Sequence, residues 1–421
     1  METIETYLER KYREIRLIHD CLRSPRQVSR PRTVDEAIAA KFQLTAALRA
    51  EHELQDWNAT ETAWSAALPA SGHFKFQYDY QRADLSVSGP SFYDLERGCA
   101  RDATYTASGM AAISSLFLAS RLIFPKAHIL VLPGSYGETL ELVDRFLPSY
   151  RLVPLALPLP ESFDQEDAPK ILLLDSCISA GAFEAMLRRD GSAFDLLVFD
   201  TTCFSGNSGR VRRVLRWARR CGVPVAMVRS HNKLDTLGVE YGRLGSAVFV
   251  NWSGEGADAK RAMIERLAGE TGNAVRLLGS AALPAHFPPY AGGKNYRALT
   301  RVRIAAILRN GRLAARLLAR EIPKLSAELH FVHGLYVTLC SRRPLDELSA
   351  RQAAEAMSGE LRSRYPIRHA GSFGFDFATT EWFRDAILDE YSVRVAVPDL
   401  PTHLWNELVM EIAKWWGKNH G

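Results

Sequence analysis

The chain reads as an α/β protein: a mostly parallel sheet with helices on both faces, followed by a smaller α+β unit and preceded by a helical arm. Three observations predict this. From about Ser108 to Asn251, short apolar runs alternate with helical patterns, the order that βαβ units produce. The runs are near-continuously apolar rather than alternating, as expected of strands covered on both faces. After a Pro- and Gly-rich loop, Pro284 to Gly293, the texture changes to one long helix and then mixed strands and helices.

Taken in order, Ile4, Tyr7, Leu8, Tyr12, Ile15 and Leu17 recur at roughly helical spacing, and Val34–Leu48 is a second helical stretch. The texture changes near Pro69-Ala-Ser-Gly72. Strands are expected at His128–Leu132, Arg151–Leu155, Lys170–Leu174, Leu196–Phe199, Val223–Val228 and Ala247–Asn251, with helices at Glu138–Leu147, Phe183–Arg188 and Val211–Cys221 between them. Leu299–Arg320, rich in Ala, Leu and Arg, has the period of a linking helix. Beyond it, Leu329–Cys340 and Val393–Val397 read as strands, and Ala350–Tyr365 and Pro401–Trp416 as helices. This organisation gives three segments: a helical arm with a site-contacting stretch over 1–100, a large α/β domain over 101–295, and a linking helix with an α+β domain over 296–421.

Composition narrows the class. The 421 residues are 47% hydrophobic and 24% charged, ordinary for a globular protein. Lys+Arg of 53 against Asp+Glu of 48 leaves +5 with no dense basic tract, which argues against nucleic acid. The apolar runs are strand-sized, far below the ~20 residues of a membrane helix, and the charged start Met1-Glu-Thr-Ile-Glu-Thr-Tyr has no signal-peptide core. Six scattered cysteines without a CxxC pair point away from a disulfide framework or zinc ribbon and fit a reducing cytoplasm. The histidines have no metal-ligand spacing, so no metal is expected.

Ligands of open parallel sheets bind at the carboxyl ends of strands, and three sequence features fall there. Ser108-Gly109-Met110 enters a helix, placing a hydroxyl and free backbone N–H groups where a phosphate can be held; alone, it is as readily a capped helix with small packing residues. Asp200 closes the apolar run Leu196–Phe199 and precedes Thr201-Thr202. It either caps a turn or accepts a hydrogen bond from a ring nitrogen that must stay protonated. Ser230-His231-Asn232-Lys233 follows the next strand. Its lysine is either solvated or a partly desolvated amine able to form a Schiff base.

In this order the three features resemble the layout of fold-type I pyridoxal 5′-phosphate enzymes, and the chain resembles a divergent member of the cystathionine γ-synthase/γ-lyase family of Cys/Met metabolism. The resemblance runs from about residue 76 to 415. Ser108-Gly-Met-Ala-Ala-Ile113 is the string that in the family cups the cofactor phosphate. Tyr136-Gly-Glu-Thr139 resembles a Tyr-Gly-Gly-Thr whose tyrosine stacks on the pyridine ring. Asp200-Thr-Thr202 resembles the Asp-Asn-Thr whose Asp pairs with the ring nitrogen, and Ser230-His-Asn-Lys233 resembles the Ser-x-Thr-Lys that carries the Schiff-base lysine. Tyr80-Gln-Arg82, followed by Gly89-Pro-Ser-Phe-Tyr-Asp-Leu-Glu96, is similar to a segment whose Tyr and Arg reach the phosphate of a neighbouring subunit. Val393-Arg-Val-Ala-Val397 resembles the segment whose arginine, here Arg394, clamps the substrate α-carboxylate.

There are departures. Asn232 stands for a threonine, Asp175-Ser-Cys-Ile-Ser179 lacks the family's Asn-Pro, and Ser372-Phe-Gly-Phe-Asp-Phe-Ala378 brings aromatics into a Ser-Leu-Gly-Gly stretch, narrowing one wall of the site.

The resemblance implies a seven-stranded sheet in a three-layer sandwich, a pyridoxal 5′-phosphate cofactor, a small amino-acid substrate and a homo-oligomer, a dimer of dimers; the helical first 70 residues are longer than the family's and are expected to form an arm over a partner subunit. It implies Lys233, Tyr136 and Asp200 as catalytic residues. The implied cofactor contacts are Ser108, Gly109, Met110, Tyr136, Asp200, Thr202, Ser230, Asn232, Lys233, Tyr80 and Arg82, and the substrate contacts are Arg394 and Ser372. The reaction implied is Cα deprotonation followed by γ-elimination or γ-replacement of a side-chain leaving group. One version is an unusual amino acid of specialised metabolism that loses halide or an acyl group, in the manner of propargylglycine synthase. A β-eliminating cysteine or cystathionine lyase, an aminotransferase and a non-catalytic cofactor-binding protein are the competing readings.

Overall fold

The computed structural model describes the chain except for residues 1, 25, 56–69, 78–85, 94, 96–98, 162, 164–167, 253–257, 323–326, 331–333, 386–388 and 421. It divides into two compact units. One comprises Gln55–Asn232 and Gly242–Pro288; the other comprises Met1–Leu54, Lys233–Tyr241 and Pro289–Gly421.

The first unit is built on a seven-stranded sheet in the order Cys99–Thr106, Gly245–Trp252, Val225–Ser230, Leu196–Asp200, Lys170–Asp175, Ala127–Val131 and Tyr150–Pro154. The last five run parallel to one another, and Gly245–Trp252 is antiparallel to both of its neighbours. Each expected strand is present with its ends shifted by a residue or two, and the sheet is mostly parallel as the sequence predicts. Residues Ile171 to Leu174, Leu196 to Phe199 and Val225 to Val228 have no exposure at all, which is why their sequence is apolar without alternation. The edge strand Cys99–Thr106 has a mixed sequence, CARDATYT, with no apolar run to announce it.

Helix Gly209–Cys221 shows the local logic of the connections. Ser208 caps its start by accepting from the Arg210 N–H, and Val211, Val214, Leu215 and Ala218 form one buried stripe. Gly222, at φ 66°, ends it in the left-handed conformation. A separate three-stranded antiparallel sheet joins Ala70–Ser71, Phe74–Gln77 and Ser86–Ser88.

The second unit holds a five-stranded sheet in the order Ala327–His330, Tyr336–Leu339, Glu390–Ala396, Ala378–Asp385 and Ile367–His369. All its pairs are antiparallel except the last. The single strand expected over Leu329–Cys340 is instead two paired strands, with Gly334 at φ 68° before the second, a conformation glycine adopts without strain. Five helices complete the unit: Ile4–His19, Val34–Gln55, Lys294–Glu321, Glu347–Leu361 and Thr402–His420.

The two N-terminal helices, expected to reach over a partner, pack within this unit against residues from the far end of the same chain. The contact is ionic and buried. Lys11 Nζ donates to Asp376 (2.7 Å), Asp399 (2.8 Å) and Glu14 (3.0 Å). Lys41 donates to Asp376 (2.5 Å) and to Glu14. Arg303 pairs with Asp376 and Asp399, and Arg10 with Asp399, Glu14 and Glu2. Among the described residues, this network sets Arg10, Lys11, Lys41 and Arg303, with Arg309 at its edge on Glu2, against Glu2, Glu14, Asp376 and Asp399.

The side chains of Lys11, Lys41, Glu14, Asp376, Asp399 and Arg303 have no exposure. Burial opposes ionisation of Asp399, but Lys11, Arg303 and Arg10 outweigh it and hold the carboxyl well below the usual range. Asp376 is lowered for the same reason, by Lys11 and Lys41 against burial. Burial, reinforced by Lys11 and Arg303, pulls the Lys41 ammonium down.

Truncating one member of such a network leaves its partners charged and buried, which costs about 3–5 kcal/mol. Asp376→Asn is therefore expected to lower the urea midpoint of unfolding strongly. Because Asp376 and Asp399 have depressed folded values, their contribution is present above the unfolded carboxylate value of about 3.9 and is lost as pH falls below it. The stability of the native chain should fall below about pH 4, and a urea midpoint unchanged by Asp376→Asn would contradict the assignment.

Candidate active site

The sheet unit gathers one group of the expected residues at the carboxyl ends of its strands. Ser108, in extended conformation, caps helix Gly109–Ser120 by accepting from the Ala111 N–H at 3.0 Å. Gly109 follows because the backbone runs close to Ser230: a Cβ there would lie 3.0 Å from Ser230 Cβ and 3.2 Å from its nitrogen. The Ser230 N–H donates to Thr202 Oγ1 (3.0 Å), and the Thr202 N–H donates to Asp200 Oδ1 (2.7 Å). Asn232 Oδ1 accepts from the Leu244 N–H at 3.3 Å. One connected path therefore leads from the helix start to the acid, through Ser108, Gly109, Ser230, Thr202 and Asp200, with Met110 in the first turn of the helix.

Asp200 ends its strand directly opposite Asp175 on the neighbouring parallel strand. Both are buried. Asp175 Oδ2 accepts from the Tyr136 N–H (2.8 Å) and Oδ1 from the Cys177 N–H (2.7 Å). Tyr136 is the residue from which helix Gly137–Phe146 starts. Burial first, and the Asp175 charge second, push the Asp200 carboxyl up to about 7. A carboxylate so destabilised in its ionised form gains most from a cationic hydrogen-bond donor.

His231, next to the lysine, is buried, hydrogen-bonded to Ser246 Oγ (2.9 Å) and packed on Phe92 at 4.0 Å between ring centroids. Cys177 and Cys203 lie 3.7 Å apart, sulfur to sulfur, as thiols. Cys203 is buried in the core.

The second unit holds the remaining group. Lys233, which follows Asn232 in the chain, donates from Nζ to Ser372 Oγ at 2.5 Å and lies 5.8 Å from the Phe373 ring centroid. The loop carrying Ser372 is pressed against the lysine backbone: Gly374, at φ 90°, would place a Cβ 2.7 Å from the Lys233 carbonyl oxygen. Only glycine meets both conditions. Arg303 Nη2 donates to the Gly374 carbonyl (2.6 Å), tying the loop to the buried ionic network.

From Phe373 a row of side chains runs to the second expected substrate residue. Phe373 meets Tyr336 edge-on at 5.6 Å, and the Arg394 guanidinium lies 4.7 Å from the Tyr336 ring and 3.8 Å from that of Phe383. Arg394 Nη2 donates to Glu381 Oε1 at 2.9 Å. Tyr80 and Arg82, expected to contact phosphate, lie outside the described residues.

Sequence reasoning missed two participants. Asp175 was registered only as part of a departure from the family's pattern. Its position at a strand end, one strand from Asp200, was the available signal. Glu381 lies in Ala378–Asp385, which has too little apolar character to be read as a strand.

Among the described residues there is no group of His, Cys, Asp or Glu able to hold a metal, and no helix long and apolar enough to cross a membrane. No protein-family model matches the sequence, and no curated protein matches it. Solved structures do. The crystal structure of metB from Corynebacterium glutamicum matches over 76% of this chain and 81% of its own, at a TM-score of 0.50 and 17% identity. A putative O-acetylhomoserine (thiol)-lyase, metY, from Campylobacter jejuni, solved with N′-pyridoxyl-lysine-5′-monophosphate, matches over 74% of this chain and 81% of its own, at a TM-score of 0.52 and 12% identity. The chain has the fold of these proteins, the fold-type I architecture.

Removing the Asp175 charge should relieve Asp200. In Asp175→Asn, the Asp200 carboxyl is expected to titrate below about 7, read from its carboxyl carbon chemical shift; an unchanged titration would remove Asp175 as a cause.

Proposed function

We propose that the chain is a pyridoxal 5′-phosphate-dependent lyase of the cystathionine γ-synthase/γ-lyase type, acting on an amino acid that bears a leaving group at Cγ. The observation that carries this reading is the close packing of the Ser108–Gly109 helix start on Ser230 and the hydrogen bonds that lead from Ser230 through Thr202 to Asp200, with Lys233 three residues beyond Ser230 and its amine on Ser372. The donor set fits the cofactor at both ends. Free N–H groups and hydroxyls at the start of a helix suit a phosphate, and a buried carboxyl held near neutrality suits a protonated ring nitrogen. The likeness to metY, solved with a pyridoxyl-lysine, supports the same assignment.

Bound pyridoxal 5′-phosphate supplies the electron sink that stabilises negative charge at Cα. The residues of the chain do the rest. Ser108, Gly109, Met110, Thr202, Ser230 and Asn232 position the phosphate end, joined by Tyr80 and Arg82 from a neighbouring copy in a homo-oligomer. Asp200 keeps the proton on the ring nitrogen. Lys233 would hold the cofactor covalently, and its amine would serve as the general base for the proton at Cα.

Ser372 holds the lysine amine in place. Arg394 would take the α-carboxylate and so orient the Cα–H bond, and Tyr136 would lie on the cofactor side of the strand ends and protonate a departing group that needs a proton. The leaving group at Cγ is an acyl ester, a thiol or a halide. Loss without replacement takes a proton from Cβ along with the leaving group and gives an unsaturated amino acid, which gives its oxoacid by addition of water and release of ammonia.

The purified chain supplied with pyridoxal 5′-phosphate should show a visible absorption band that borohydride abolishes by fixing the cofactor on Lys233. Lys233→Ala should bind cofactor without covalent trapping and turn over nothing. Asp200→Asn should retain cofactor and lose on the order of 10²–10³-fold in kcat, the scale of one removed electrostatic stabiliser. A chain that takes up no cofactor, or a Lys233→Ala variant of normal activity, overturns the reading.

A further inference from the structure

Two thiols lie at the ligand side of the sheet, and the proposed reaction uses neither. Cys177 comes two residues after Asp175 and Cys203 three after Asp200, on the turns that follow neighbouring parallel strands paired in register. Their sulfurs are 3.7 Å apart. The turns are also joined through the backbone: the Ser176 N–H donates to the Asp200 carbonyl (3.1 Å), and the Cys203 N–H donates to Ser176 Oγ (3.0 Å). From this starting point, disulfide geometry asks each sulfur to move by about 1 Å or less. Other thiols are placed differently: Cys21 Sγ donates to the Leu17 carbonyl, and Cys221 Sγ accepts from the Gly191 N–H.

The pair is coupled to the two acids through backbone amides. The Cys177 N–H donates to Asp175 (2.7 Å), and the N–H of Thr202, the neighbour of Cys203, donates to Asp200 (2.7 Å). Cys177 is half-buried and Cys203 buried, so a reagent from solution meets Cys177 first.

We propose that Cys177 and Cys203 are a modification site, a dithiol that a low-molecular-weight disulfide oxidises to an internal cross-link, displacing the amides that support Asp175 and Asp200. The exchange balances with the reagent as oxidant. The Cys177 thiolate attacks one sulfur of the reagent; the reagent's S–S bond breaks, and its other half leaves as a thiol with the proton that Cys177 gave up. The Cys203 thiolate then attacks the Cys177 sulfur, and the second half leaves in the same way. One S–S bond has formed and one has broken, with the two cysteines oxidised and the reagent reduced to two thiols.

The contact with Cys203 first, burial second and the charges of Asp175 and Asp200 after them hold the Cys177 thiol well above its ordinary value. Only a thiolate attacks, so the pair stays reduced through brief exposure near neutrality and reacts faster as pH rises. The cross-link itself needs no cofactor and goes beyond the cofactor reading. Under that reading, its effect on Asp200 would lower turnover until a thiol reverses it.

The test incubates the full chain, as purified, with excess glutathione disulfide in mildly alkaline buffer, alkylates the remaining thiols and maps the cysteines by peptide mass. The peptides bearing Cys177 and Cys203 should be joined, with the mass of two hydrogens lost, and dithiothreitol should release them. Cys203→Ser should stop at the mixed disulfide, with one glutathione on Cys177, and Cys177→Ser should take up none at Cys203. The two variants are read by different products, so a folding defect in one does not decide the outcome. In the cross-linked native chain, solvent exchange of the Cys177 and Thr202 amide protons should quicken by about tenfold or more, the scale of one weakened hydrogen bond.

Cys177 and Cys203 remaining as separate thiols, or a cross-link that leaves both amides exchanging at their former rates, overturns the proposal. A chain that shows no visible band with pyridoxal 5′-phosphate overturns the cofactor reading and leaves this one standing.

Discussion

Asp376 is one of two buried carboxylates, with Asp399, on which the cations of the second unit converge. It has no exposure, and three cations reach it: Lys11 from the first helix, Lys41 from the second and Arg303 from the long helix Lys294–Glu321. Its own backbone N–H donates to the Gly238 carbonyl, so the segment that begins at Lys233 is fastened to the same residue. Arg303 adds bonds to the Gly374 carbonyl and to Thr236. Three separated stretches of chain thus converge on one carboxylate, and the loop that meets the lysine amine is four residues away from it. A buried ionic network adds little net stability compared with apolar packing of equal volume, but it admits few alternative partners. The geometry around Ser372 and Lys233 is set by that intolerance.

In the sheet unit the corresponding constraint is a pair of acids. Asp175 and Asp200 end neighbouring strands in register, and two buried carboxyls at that separation do not both ionise readily. Asp175 is compensated by two backbone N–H groups, one of them that of Tyr136. Asp200 receives the Thr202 N–H and remains raised. Burial raises Asp175 as well, in spite of those two bonds, so the pair as a whole gains from a nearby cation, while Asp175 also fixes where the tyrosine helix begins.

Much of this was legible in the sequence because the buried strands are so uniformly apolar. Leu196 to Phe199 and Ile171 to Leu174 admit no other reading than core, and the polar residues that end such runs mark the ligand side of a parallel sheet. The helix start at Ser108, the acid Asp200 and the lysine Lys233 were found that way. The ionic network was not, for a physical reason. Lys11, Glu14 and Lys41 sit on helices of ordinary mixed character, where charges usually face water, and nothing local says that their partners lie near residue 376 or 399. The antiparallel strands Cys99–Thr106 and Ala378–Asp385 were also missed, since polar residues interrupt them. With the second of these went Glu381, whose meaning depends wholly on which residue stands across the sheet.

The second unit is discontinuous, assembled from the first 54 residues, the short stretch Lys233–Tyr241 and the residues from Pro289 onward. This has a consequence for biosynthesis. The helices bearing Arg10, Lys11 and Lys41 leave the ribosome long before Asp376 and Asp399, two of the carboxylates that neutralise them. The sheet unit has its strands in hand long before and can fold as a block in the interval. Until Asp376 and Asp399 are made, the N-terminal helices have cations on a surface that is destined for burial, a state that favours solubility over premature collapse. Closure then joins segments separated by most of the chain, the kind of long-range contact that slows folding. The loop against Lys233 depends on the same contacts, because Arg303 bonds both Asp376 and the Gly374 carbonyl.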